Sequence, residues 1–141
     1  MGFWAFTKRV VVLLAPLAGL VFGIAALGVA AFHAVPCVLS RLGFYVLLLF
    51  FPFLLVYLHE LGHYLPVRRR VRGVVREGIF GVAVEVEGDV PWSTVVWSAV
   101  LPLALGLGVS LWTGKGVFLL LTLGVLAASA LDGVEVLRRH A

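Results

Sequence analysis

Four stretches of this chain stay apolar for long enough to cross a bilayer, and that feature removes most folds from consideration. The hydrocarbon layer is about 30 Å thick and takes roughly 17–25 helical residues to span. The apolar runs lie near Val10–Phe32, Leu42–Leu65, Ser93–Trp112 and Val117–Leu131. Of the 141 residues, 62% are hydrophobic and 13% charged, against about 45–50% and about 25% in soluble domains. A water-soluble core of this size has no room for so much apolar surface. The first run is also too long for the apolar region of a signal peptide and lacks a polar cleavage region after it, so it reads as a retained helix. The expected fold is one all-α integral membrane domain over residues 1–141. Its helices fall at about 10–32, 42–65, 93–112 and 117–137.

Charge sets the expected orientation. Lys8 and Arg9 precede the first span; Arg68, Arg69, Arg70, Arg72 and Arg76 follow the second; Arg138 and Arg139 close the fourth. The other two connections carry only Arg41 and Lys115. By the positive-inside rule the arginine-rich side, with both termini, is cytoplasmic. A prokaryotic cell membrane is the expected location. The net charge of +4 then meets anionic headgroups, and no motif or fold points to nucleic acid. Cys37 is the only cysteine, which excludes an intrachain disulfide.

Between the second and third spans the pattern changes. In EGIFGVAVEVEGDV, Val82, Val84 and Val86 alternate with Ala83, Glu85 and Glu87. A period of two marks a strand with one polar face. Gly78, Gly81 and Gly88 bracket it as turn or bulge positions. A short strand or hairpin at about 79–87, lying on the membrane surface, is expected. The arginines at 68–70 read as headgroup anchors. In the first span Ala15, Gly19 and Gly23 recur every four residues, a spacing that lets helices approach closely, within one chain or between copies.

The second span contains HELGH, residues 59–63. Ionisable groups inside a membrane cost about 2.5–3.5 kcal/mol each on insertion scales, so they mark function. His59 and His63 are four residues apart and share one helix face. Two neutral imidazoles so placed suit Zn²⁺, which lowers the pKa of a water towards about 7. Glu60 is placed to take a proton from that water and pass it to a leaving amine. Pro52 and Pro66 are expected to bend the helix before the pair and to end it after them.

A catalytic zinc takes a third protein ligand. The candidates are His33, His140, Glu77, Glu85, Glu87, Asp89, Asp132 and Glu135. Depth separates them. His59 and His63 precede Arg68 by nine and five residues, roughly 8–14 Å at 1.5 Å per residue. Asp132 precedes Arg138 by six residues, roughly 9 Å by the same rise. The second and fourth spans run in the same direction, so Asp132 reaches the level of the imidazoles from the same side. Asp132 is the choice and Glu135, a turn further on, the fallback.

HELGH on one span and Leu131-Asp132-Gly133 on a later one resemble the two metal-binding motifs of the site-2 protease family of intramembrane zinc metalloproteases. The segment SALDGVEVLRR is similar to the Asp-bearing helix of a compact zincin branch, with a proline-containing helix between the motifs, as Pro102 provides here. The likeness covers about residues 42–139. It implies that His59, His63 and Asp132 hold zinc and that Glu60 is the catalytic base. It also implies hydrolysis of membrane-embedded or membrane-proximal protein substrates near the cytoplasmic leaflet, with strand-like elements receiving an extended substrate. The family usually carries an Asn near the proline of the middle helix, and this chain has no Asn. Two other readings fit the same residues: a non-enzymatic metal- or haem-binding membrane protein, and an inactive relative that binds transmembrane helices without cutting them.

Overall fold

The computed structural model describes residues 1–77 and 81–140. Helix α1 spans Phe3–Ala31, a short α2 spans Val35–Ser40, and α3 spans Leu42–Tyr64. Strands β1 (Val71–Glu77) and β2 (Gly81–Val86) follow, then α4 (Trp92–Thr113) and α5 (Val117–His140). Helices α1, α3, α4 and α5 are each long and apolar enough to cross a membrane. The fold class expected from the sequence is therefore the one observed: four spanning helices with a small hairpin between the second and third. Much of the outer surface is apolar, with Leu27, Leu111, Trp112, Leu120 and Leu131 largely exposed, as a lipid-facing surface requires.

The boundaries differ in instructive ways. Helix α1 begins at Phe3 rather than near residue 10, because Lys8 and Arg9 do not end a helix. Arg9 turns its guanidinium onto the Val74 carbonyl at 3.2 Å. Helix α5 continues to His140, supported by an i,i+4 pair between Glu135 and Arg139. Pro66 ends α3 as expected, in a 3-10 turn over Leu65–Val67. Pro52 lies inside α3 without ending it.

The hairpin holds the largest correction. The arginine-rich segment after α3 forms a strand: β1 pairs antiparallel with β2, Val74 opposite Val84 and Arg76 opposite Val82. The register slips between Val71 and Gly73, so Arg72 bulges out and pairs with Glu87 at 2.8 Å. Arg72 and Arg76 are thus residues of a strand not expected from the sequence, whereas the arginines at 68–70 form the turn before it. Of the expected strand at 79–87, residues 79 and 80 lie outside the described residues, as does the turn position Gly78. Gly88 has a φ of 81°, the left-handed turn geometry that glycine adopts without strain.

Two apolar clusters bracket the middle of the bundle. At the hairpin end, Phe6, Val10 and Leu14 of α1 meet Tyr64, Val67, Val71, Val74 and Val82; Phe6 stacks on Tyr64 with ring centroids 4.3 Å apart. At the far end Phe51 and Leu55 of α3 close on Phe118 of α5. The Ala15–Gly19–Gly23 stripe is not used within the chain: a Cβ added at Gly19 or Gly23 would meet nothing within 4 Å.

Helix α4 is centred by small and polar residues. Its buried positions are Thr94, Ser98, Pro102 and Gly106, one every four residues and hence one face. A side chain at Gly62 would collide with the Ser98 backbone, and one at Gly106 with the Thr122 side chain. Close backbone approach of this kind drives helix association in lipid, where apolar side chains gain nothing by leaving the hydrocarbon.

Candidate metal centre

The last turns of α3 and α5 meet the first turns of α4 between the two apolar clusters. From α3, His59 and His63 present their imidazoles with ring centroids 4.8 Å apart. From α5, Asp132 Oδ2 lies 2.9 Å from His63 Nε2 and 3.1 Å from His59 Nε2. Taking one donor atom from each residue, all three lie within 4.8 Å of one another. The choice of Asp132 over the other acids and histidines agrees with this convergence.

The set fits a metal by three criteria. Donors sharing a tetrahedral zinc at roughly 2.0–2.2 Å stand about 3.3–3.6 Å apart, so the two acid–imidazole spacings need to open by only a few tenths of an ångström, and the two imidazole donors already lie within 4.8 Å of each other. The donors are two imidazole nitrogens and one carboxylate oxygen, the chemistry of a three-protein-ligand site. The support of the imidazole also fits. His59 Nδ1 lies 3.3 Å from the Ser98 carbonyl oxygen, an acceptor that suits Nδ1–H. With the proton there the Nε2 lone pair is free for a cation, and a backbone carbonyl is a common orienting partner for a metal-ligating imidazole.

Glu60 is beside the triad and not in it. Its Oε1 is 4.0 Å from His59 Nε2, it is only 6% exposed, and among the described residues no hydrogen bond holds its carboxylate. An unpaired buried carboxylate is costly, and proteins keep such groups where a reaction uses them.

No protein-family model, curated protein or solved structure matches this chain.

The other sequence candidates are placed elsewhere. His33, in left-handed geometry with φ 49°, ends α1 at the opposite side of the bundle. Glu87 is committed to Arg72, and Asp89 offers its carbonyl to Arg70. Glu77 and Glu135 line the cavity over the triad without joining it, and Glu135 is paired with Arg139. The side chain of His140 lies outside what is described.

That cavity measures about 420 Å³ and is walled by α3, α5 and β2, with Val56, Val82, Val84, Val86 and Val125 among its apolar residues. Two site residues went unread in the sequence: Ser98 and Ser129, both buried. Ser129 had a signal, since it stands three residues before Asp132 and so shares its helix face. Ser98 had an indirect one: Pro102, four residues on, has no N–H to take the Ser98 carbonyl within the helix.

Proposed function

We propose that this protein is a membrane-embedded zinc-dependent metalloendopeptidase of the site-2 protease type. It cuts membrane-embedded or membrane-proximal protein segments near the leaflet bearing the hairpin, the cytoplasmic one by its basic residues. The observation that carries this reading is the meeting of His59, His63 and Asp132 from two separate spans, with the unpaired carboxylate of Glu60 beside them. A zinc ion held there would supply a Lewis acid and a water acidified to a pKa near 7.

The chain's own residues account for the remaining chemistry. Glu60 accepts a proton as water adds to the scissile carbonyl and returns it to the nitrogen when the C–N bond breaks. The valines that wall part of the cavity suit the apolar side chains of a substrate. Strand β2 borders the cavity, and its edge away from β1 pairs with no strand among the described residues. An extended substrate can add there through main-chain hydrogen bonds.

The test is Glu60→Gln in protein reconstituted into liposomes with transmembrane reporter segments that contain helix-breaking residues. Zinc content should be unchanged while cleavage falls by about 10²–10⁴-fold. Turnover equal to wild type would remove Glu60 as the base. Wild-type protein that carries zinc and cuts no reporter would favour a binding protein instead.

A further inference from the structure

Hydroxyls in the spanning helices share a common habit here; buried Ser110 Oγ has no hydrogen-bond partner among the described residues, and Ser129 alone turns towards the proposed metal centre. Thr113 Oγ1 donates to Val109 O, Thr122 Oγ1 to Phe118 O, and Ser98 Oγ to Val95 O, each at 2.7 Å. This is how a hydroxyl in a lipid-facing helix satisfies itself, on the preceding turn of its own backbone. Ser129 is 3% exposed, yet its corresponding contact to Val125 O is stretched to 3.4 Å. Its Oγ lies 3.1 Å from His59 Nδ1.

From this we infer that Ser129 is a positioning residue of the metal centre, holding the His59 imidazole in the orientation and tautomer that turn Nε2 towards Asp132. The inference rests on the metal-site reading above and deepens it. The protons can be followed. Ser98 has one hydroxyl proton, and the 2.7 Å contact to Val95 O takes it in preference to Ser129 Oγ at 3.3 Å. His59 Nδ1–H is then shared between two acceptors, the Ser98 carbonyl oxygen at 3.3 Å and Ser129 Oγ at 3.1 Å. The Ser129 proton remains for Val125 O. Every donor in the group then has an acceptor, and Nε2 is left facing Asp132.

The two imidazoles are therefore unequal. His59 is locked from α4 and α5 together, whereas Nδ1 of His63 has no hydrogen-bond partner among the described residues. Because Ser129 and Asp132 stand one turn apart on α5, a single helix supplies the proposed acid ligand and the support for the first histidine. A displacement of α5 would disturb both at once.

Substitution at 129 by Thr and Val separates the hydroxyl from packing, since the two side chains share one shape. Zinc affinity of the full-length detergent-solubilised chain would be measured by competition with a chromophoric chelator, with circular dichroism to establish that each variant is folded. Ser129→Val and Ser129→Ala should each weaken zinc binding by about 10–100-fold, while Ser129→Thr should stay close to wild type. Folded Val and Ala variants with wild-type affinity would overturn the role of Ser129 and leave the metal centre standing. Equal losses in Thr and Val, with Ala unaffected, would assign the effect to crowding and likewise overturn it. Wild-type protein that binds no zinc would overturn the centre and the inference together.

Discussion

At residue scale the site is a problem in burial. His59 and Glu60 are 7% and 6% exposed within a helix otherwise made for lipid, and desolvated polar groups are tolerated when they are partnered or used. His59 is partnered on both ring nitrogens; Glu60 is not. The fallback ligand Glu135 makes the assignment of Asp132 testable by comparison. Asp132→Asn should lower zinc affinity by at least about 10–100-fold, the loss seen even for supporting partners. Glu135→Gln should leave it nearly unchanged, since the Glu135 carboxylate is occupied by Arg139. The reverse order in the chelator competition would move the ligand one turn along α5. His59, His63 and Asp132 were legible in the sequence because spacing places the first two on one face and depth places the third beside them. The partners of Ser98 and Ser129 could not be read there, although Pro102 and the spacing to Asp132 marked both residues, because the rotation of one helix against another is fixed by side-chain packing that no single run of sequence contains.

At the scale of elements, Gly62 explains why the motif's fourth position is glycine. Helix α4 crosses so near that any Cβ there meets the Ser98 backbone, the same residue whose carbonyl receives His59 Nδ1. Gly62→Ala should cost about 1–3 kcal/mol of stability through overpacking. It should also weaken zinc binding by drawing Ser98 away from the imidazole. Chemical denaturation and chelator competition read the two effects, and an Ala variant normal in both would contradict the close approach. The hairpin shows the other side of legibility. Strand β2 was visible as alternation, but β1 was hidden: the bulge at Arg72 sets its buried residues, Val71 and Val74, three apart. Four arginines within five positions then dominate the reading of the same stretch.

For the whole molecule, the termini and hairpin gather at one end and the α1–α2 and α4–α5 connections at the other. The hairpin is fastened to α1 by Arg9 on Val74 O and by Arg76 on Leu13 O at 2.9 Å. Arg76→Ala should leave zinc binding intact and speed proteolysis within β1 and β2; an unchanged digestion rate would show the tie to be dispensable. Orientation has a direct chemical handle in exposed Cys37. An impermeant maleimide should label it in intact cells, whereas Glu85→Cys in a Cys37→Ser background should react only once cells are opened. The opposite pattern would invert the assignment drawn from the arginines. The number of candidate spans was readable from apolar length alone, since the bilayer fixes the length a helix needs; contact between α1 and the hairpin was not, since it is made by a few side chains.

The most direct test of the central claim is the zinc content of purified protein by plasma emission, with the wild type beside the His63→Ala/Asp132→Ala double variant. The account predicts about one zinc per chain in the wild type, as for a single three-ligand site, and almost none in the double variant at unchanged helical content. Full zinc retention in that variant would contradict it.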